Sequence, residues 1–101
     1  MAKKGMIEKN NRRIKLVAQQ ATKRARLKTI IMNKEASLEE RFAASLKLAQ
    51  LPRNASATRV KNRCEISGRP RGYYRKLKMS RIAMRDLGNS GLVPGLTKSS
   101  W

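Results

Sequence analysis

The chain has 101 residues, enough for one small domain, and its 25 Lys and Arg against 6 Asp and Glu give a formal net charge of +19. Leu, Ile, Val and Phe together number only 20, so little apolar surface is available to offset the repulsion between cations. We therefore expect the isolated chain to be partly disordered and to be completed by a polyanion, which is RNA, DNA or an anionic membrane surface.

The residue types argue against an enzyme, a disulfide-bonded protein and a membrane protein. There is no His, and the acids are scattered apart from Glu39 and Glu40, which a helix cap explains. The single cysteine, Cys64, has no partner within the chain, which favours a reducing compartment. No apolar run reaches the ~18 residues of a membrane helix, and no apolar segment typical of a signal peptide follows the N-terminus. We expect no catalytic residue, no cofactor, no small-molecule substrate and no membrane.

The first predicted element is a helix over residues 7–32, which contain no Gly or Pro. Three- and four-residue steps predict a narrow apolar stripe on it, formed by Ile14, Val17, Ala18, Ala21 and Ala25. Because Glu8 is the one acid in this span, we expect its cations to contact RNA rather than to be merely solvated.

A second helix is predicted to follow a capping box that begins at Ser37, and to end near Leu51 because Pro52 follows. Its predicted apolar face consists of Leu38, Phe42, Leu46 and Ala49. We expect this face to pack on the first helix as a hairpin, with no function beyond packing.

The remainder is predicted to be largely irregular. Residues 52–62 lack periodicity and are expected to form an extended linker, and Ser80 is expected to cap a third helix over 81–87 with Gly88 as its left-handed stop. The predicted fold class is mainly α with extended irregular segments. Its predicted parts are a basic helical hairpin (1–51), a basic linker (52–63), a metal-free zinc-ribbon-like knuckle with a short helix (64–88) and an extended tail (89–101).

The knuckle prediction depends on the spacing of Cys64, Ser67, Ser80 and Ala83. Four cysteines with two, twelve and two residues between them would predict a zinc site, because four thiolates complete a tetrahedron around the metal. Here one thiol is present, Ser is a poor zinc ligand and Ala is none. We therefore predict no metal, and a Cys64 that behaves as a small buried apolar residue.

Nucleic-acid binding is the function that the stretch 53–85 favours, with eleven Lys or Arg and the single acid Glu65. Arg grips phosphate bidentately or stacks on bases, which suits folded RNA. Of the adjacent Tyr73 and Tyr74, we expect one to stack on a base and the other to fill the small core, because neighbours in an extended segment point opposite ways. The predicted RNA-binding residues are Arg53, Arg59, Lys61, Arg63, Arg69, Arg71, Tyr74, Arg75, Lys76, Arg81, Arg85 and Lys98.

Two other functions fit a cationic chain less well. A free nucleoid or regulatory DNA-binding protein would need a groove-reading helix pair or a dimer seam, and no such pair of periodic segments is present. A membrane-active peptide would need a broad, bulky apolar face, whereas the predicted stripe of the first helix is narrow and rich in Ala.

Three groups of residues resemble a known family, namely Asn62-Arg63-Cys64, the run from Ser67 to Lys76 (SGRPRGYYRK) and Met79-Ser80-Arg81-Ile82. They are similar to the family of ribosomal protein fourteen of the small subunit, in its bacterial zinc-free form, and the start MAKK and the ending PGL…SW fit as well. Other members keep four cysteines at the knuckle positions and bind zinc. Leu77-Lys78 departs from the Phe-Gly of many members.

The resemblance implies a place in the head of the small ribosomal subunit, bound to small-subunit (16S-type) ribosomal RNA. It implies contacts with head proteins three, ten and nineteen, and a role in head assembly and in the conformation around the decoding A site. The implied localisation is the ribosome of the bacterial cytosol, or of an organelle matrix if the chain is organelle-encoded.

Overall fold

The computed structural model describes residues 2–100, which are mainly helical with irregular segments and one small antiparallel sheet. The predicted mainly α class is confirmed. The elements are α1 (Lys4–Met32), α2 (Leu38–Gln50), two 3₁₀ turns (Arg53–Ala55 and Ala57–Arg59), β1 (Tyr73–Tyr74), β2 (Met79–Ser80) and α3 (Arg81–Asn89). No helix in residues 2–100 has the length and apolar character to cross a membrane. The chain forms two compact units, Lys9–Val60 and a second unit of the described residues up to Glu8 with those from Lys61 onward.

Within Lys9–Val60, hydrogen bonds at both ends show that the chain folds back along α1. Arg41 Nε donates to the Ile31 carbonyl at 3.1 Å, near the turn between the helices. At the other end, Arg13 Nη1 donates to the carbonyl of Arg59 at 3.5 Å. Because residues 13 and 31 lie about 27 Å apart along a helix, α2 and the turns after it run back over most of that length.

The apolar stripe predicted for α1 is wrong except at Val17, which is half-buried. Ile14 is 46% exposed, and the three alanines of the stripe are exposed as well. The less exposed positions recur instead at three- and four-residue steps along another face, which holds Asn10, Arg13, Val17, Gln20, Arg24, Leu27 and Ile31. The aliphatic part of a long polar side chain can cover apolar surface. A helix face that contains Arg and Gln can therefore be the covered face, although a count of apolar residues would not select it.

The ends of α2 are as predicted, but its apolar face is not. Ser37 Oγ accepts the amide of Glu40 at 3.3 Å, and the helix stops before Pro52. The buried residue of α2 is Ala44. The face predicted to pack is open, with Leu38 81%, Phe42 67% and Leu46 52% exposed.

Residues 53–59 are not an extended linker, because they form two consecutive 3₁₀ turns. Ala55, the last residue of the first turn, is 1% exposed. The side chain of Arg59 reaches back to Asn54, with Nη1 donating to Oδ1 at 3.0 Å. Backbone bonds one turn long need no apolar periodicity, which is why the sequence pattern gave no sign of them.

In the second unit, a tight loop over residues 64–69 is joined to the β1–β2 hairpin. The Cys64 amide donates to the Arg69 carbonyl at 3.0 Å, and the Gly68 amide donates to the Cys64 carbonyl at 2.8 Å. The Glu65 amide donates to the carbonyl of Lys78 at 3.1 Å. The strands pair Tyr73 with Ser80. These bonds hold loop and hairpin together as one knuckle, which we define as residues 64–80.

The third helix begins as predicted and ends two residues later than predicted, at Asn89. Ser80 Oγ accepts the Ala83 amide at 3.2 Å. Gly88 is not the left-handed stop, because it lies inside α3. Gly91 has that role, with φ +73°. The Leu92 amide donates to the Leu87 carbonyl at 3.0 Å and the Gly91 amide to the Gly88 carbonyl at 3.1 Å, which is a Schellman motif. The described part of the tail after it is irregular, as predicted.

Candidate nucleic-acid interface

The structure places ten of the twelve predicted RNA-binding side chains on the surface and leaves two half-buried. The half-buried residues are Arg63 and Arg69, both in or beside the knuckle loop. Arg53 and Arg59 belong to the unit Lys9–Val60, and the other ten belong to the second unit. The second unit therefore carries the main candidate surface.

The turn of the β hairpin concentrates positive charge. Arg75, Lys76 and Lys78 follow one another within four residues, and all three are exposed. Lys78 has φ +53°, the left-handed region that favours glycine. Lys78 was not among the predicted site residues. Lys78 lies in the short turn between β1 and β2, close in sequence to Arg75 and Lys76. That clustering of three cations in the sequence is the signal that could have identified it.

The two tyrosines are placed differently by the strand. Tyr73 pairs with the buried Ser80 and is itself half-buried, while Tyr74 pairs with Met79 and is 47% exposed. The alternation of side chains along a strand separates them. Of the two rings, Tyr74 is the one available to a base.

A groove beside α3 collects four predicted residues that are far apart in sequence. Tyr74, Arg81, Arg85 and Lys98 all line it. Arg81 and Arg85 are one helical turn apart, so they share a face of α3. Leu96, which sequence reasoning missed, lies against the backbone of Gly88 in α3. No pattern in the irregular tail indicates this contact.

The two half-buried arginines shape the knuckle loop. Arg63 Nη1 donates to the Gly68 carbonyl at 2.9 Å. The Nε atoms of Arg63 and Arg69 are buried and make no hydrogen bond of ordinary geometry. A buried Nε cannot reach an external acceptor, so any contact of these side chains with phosphate falls to their terminal Nη groups.

Cys64 is 3% exposed, so its predicted burial is confirmed, but its surroundings favour the thiolate, so the predicted apolar character is wrong. Burial raises the pKa of its thiol, but the Ser67 hydroxyl and the amides of Ser67, Ser80 and Ile66 outweigh burial and lower the pKa from 9.0 to about 6. The Ser67 amide lies 3.4 Å from Sγ. The buried Ser67 hydroxyl oxygen makes no hydrogen bond of ordinary geometry, so the amides are the main cause of the lowered pKa of Cys64.

The residues at the knuckle positions do not fit zinc. A tetrahedral site needs four N, S or carboxylate donors, whereas Cys64, Ser67, Ser80 and Ala83 supply one thiol, two hydroxyls and a methyl group. The hydroxyl of Ser80 is already used as the cap of α3. Within residues 2–100, no group of three or more His, Cys, Asp or Glu comes together.

Comparison with known proteins identifies the family. The family model described as ribosomal protein S14p/S29e matches residues 47–100. The chain is 68% identical to the small ribosomal subunit protein uS14 of Nitrobacter hamburgensis, 67% to that of Agrobacterium fabrum and 66% to that of Rhizobium meliloti. Each match spans 101 residues, which is 100% of both chains.

A family match over more than half of the chain, with relatives this similar along its whole length, defines the class as a structural ribosomal protein rather than an enzyme. The chain belongs to the ribosomal protein S14p/S29e family. The family proposed from the NRC…SGRPRG…SRI series is thereby confirmed.

Proposed function

We propose that the chain binds small-subunit ribosomal RNA in the head of the subunit, and that it supports head assembly and the conformation around the decoding A site. Its structural role in the small ribosomal subunit follows from family membership. The proposal adds the RNA, the surface that binds it and the place in the subunit. The place is supported by the resemblance alone.

The observation that carries the RNA proposal is the exposure of cations throughout the second unit. Arg71, Arg75, Lys76, Arg81, Arg85 and Lys98 are all exposed. They belong to the knuckle, α3 and the tail, so they project from several elements instead of forming the single basic helix that reads a DNA groove. Phosphates of folded RNA follow no helical period, and a surface of this kind suits them.

In this proposal, different segments of the chain make different contacts. The regions 52–63, 64–88 (the knuckle and most of α3) and 89–101 contact RNA, and the region 1–51 adds cations along α1. The mechanism is electrostatic, because neutralised phosphates allow converging RNA strands to pack. If ~6–10 phosphates are contacted, affinity falls by about 10³–10⁵ between 50 and 200 mM salt.

The exposed face of α2 supports protein neighbours, for which we propose head proteins three, ten and nineteen. Leu38, Phe42 and Leu46 form an open apolar row at four-residue steps. Glu39 and Glu40 lie in the same helix, and their charge repels phosphate. Contiguous exposed apolar surface flanked by acids is typical of a protein contact.

The test is crosslinking in cells, followed by sequencing of the attached nucleic acid, with Arg71→Gln compared with Lys47→Gln. Both side chains are exposed cations, but Lys47 lies on α2, which the proposal assigns to protein. We expect reads in the head region of small-subunit ribosomal RNA, and weaker crosslinking for Arg71→Gln alone. Reads spread over genomic DNA or many messages would overturn the proposal and favour a free nucleoid or regulatory protein.

A further inference from the structure

We propose that the groove beside α3 is a site for a single unpaired ribonucleotide, with the base stacked on Tyr74 and the phosphate held by Arg81, Arg85 and Lys98. The groove has a volume of about 790 Å³, within the ~300–1,000 Å³ of sites that hold small organic molecules. The inference rests on the proposed function, because it assumes RNA as the partner. It adds a specific occupant and a geometry.

The hairpin fixes the aromatic side of the groove. Tyr74 pairs with Met79, next to the residue that caps α3. The Arg81 amide donates to the Gly72 carbonyl at 2.6 Å, so the first turn of α3 is tied to the residue that precedes β1. Two short strands and one backbone bond thereby hold the ring and Arg81 on the same groove.

Gly88 lets the tail close the other side. A Cβ atom on Gly88 would overlap Cδ2 of Leu96, so the Leu96 side chain can lie against α3 here because this helical position lacks a side chain. Lys98 follows Leu96 by two residues and lines the groove. This contact explains a glycine in the interior of α3, where glycine costs ~1 kcal/mol relative to alanine.

The charges and surfaces of the groove match one nucleotide. Three cations against one carboxylate, Asp86, give a net charge of +2 among these lining residues, which suits a phosphodiester on each side of a nucleoside. Ile82 is 48% exposed and, with Tyr74, gives the groove apolar area for a base. A base has a π-face whatever its identity, so stacking on Tyr74 would not require a particular sequence.

The first test places the photo-crosslinker benzoylphenylalanine at position 74 of the full chain, assembled into small subunits in cells, with positions 71 and 42 as comparisons. We expect position 74 to crosslink to one unpaired nucleotide of small-subunit ribosomal RNA, position 71 to RNA and position 42 to protein. Crosslinks from position 74 to protein or to many nucleotides would overturn the groove site. Absence of RNA crosslinks at both 71 and 74 would instead overturn the proposed function.

The second test measures binding of the full chain to transcribed small-subunit ribosomal RNA across salt concentrations. Loss of stacking in Tyr74→Leu should weaken binding roughly ten- to a hundredfold with an unchanged salt slope, while Tyr74→Phe stays within about twofold. Arg85→Gln should reduce the salt slope by about 1. Gly88→Ala should weaken binding because it moves the Leu96 side chain away from α3, whereas Gly5→Ala, with open space around it, should not.

The outcomes separate the two proposals. If Tyr74→Leu binds like the unaltered chain while Arg85→Gln binds more weakly, the groove site is wrong and the proposed function stands. If Arg85→Gln and Arg71→Gln both leave affinity and salt slope unchanged, the proposed function is wrong. A changed salt slope in Tyr74→Leu would show a general loss of structure and would also overturn the stacking assignment.

Discussion

A Cβ atom on Gly68 would lie 2.7 Å from Cδ1 of Ile7, so the knuckle loop is in close contact with the first turns of α1. Gly68 also has φ +73°, a conformation that costs an L residue ~1–2 kcal/mol. We expect Gly68→Ala to lower the free energy of unfolding by about 1–3 kcal/mol, from strain and overlap together. Urea denaturation followed by circular dichroism measures this change.

Gly5→Ala is the control for that prediction. Gly5 lies in α1 with nothing within 4 Å of an added Cβ and no positive φ. The substitution should leave the free energy of unfolding unchanged or raise it by up to about 1 kcal/mol, because alanine favours helix. Equal losses for the two variants would mean that the contact between Gly68 and Ile7 is not made.

The left-handed backbone of Lys78 predicts a stabilising substitution. Lys78→Gly should raise the free energy of unfolding by about 1 kcal/mol, because glycine adopts φ +53° without strain. Lys76→Gly removes the same charge from the same turn at a residue without positive φ, so it should not stabilise. Thermal unfolding of the two variants side by side measures the difference, and a stabilisation common to both would point to charge repulsion as the cause.

The cap of α3 predicts a loss of stability at a buried hydroxyl. Ser80 is 1% exposed, and its Oγ accepts the Ala83 amide. Ser80→Ala should cost about 0.5–2 kcal/mol, because the amide loses its acceptor. Ser45→Ala, at an exposed position inside α2, should be neutral or slightly stabilising. Hydrogen exchange of the α3 amides should quicken in the first variant and not in the second.

The thiol of Cys64 predicts a pH dependence of stability. Its pKa in the folded chain is about 6, below the ordinary value of 9.0, so the folded state favours the thiolate. The resulting stabilisation is complete above pH 9 and is lost as the pH falls through about 6. Each unit of difference corresponds to about 1.4 kcal/mol.

Cys64→Ala isolates this contribution. The chain has no His, so few other groups titrate between pH 6 and 8. The free energy of unfolding of the unaltered chain minus that of the variant should increase from pH 6 to pH 9. A difference that stays constant over this range would show that the hydrogen bonds to Sγ do not favour the thiolate.

Local signals predicted the helix starts, and burial could not be predicted in the same way. Ser37 and Ser80 predict the N-termini of α2 and α3, because a helix cap depends on only a few neighbouring residues. Counting apolar residues failed on both long helices, since Arg13 and Gln20 belong to the covered face of α1 while Phe42 is exposed. In a chain this rich in long cationic side chains, their aliphatic parts can line the covered face of a helix while apolar residues such as Phe42 stay exposed to solvent.

The candidate site was predictable as a composition and not as an arrangement. The Arg-rich stretch and Tyr74 are evident from the sequence, but the addition of Lys98 to the groove of Tyr74 and Arg85 goes with the packing of Leu96 against Gly88. That contact joins a helix to an irregular tail, and no periodicity encodes it. The roles of individual residues in binding RNA remain predictions.

The open row of Leu38, Phe42 and Leu46 also bears on how the cell must handle this chain. A copy made in excess of its assembly site presents bare apolar surface, which chaperones bind and which marks a chain for proteolysis. The net charge of +19 would draw the same orphan copy onto any nucleic acid nearby. We therefore expect a surplus copy to be held or degraded rather than to persist free.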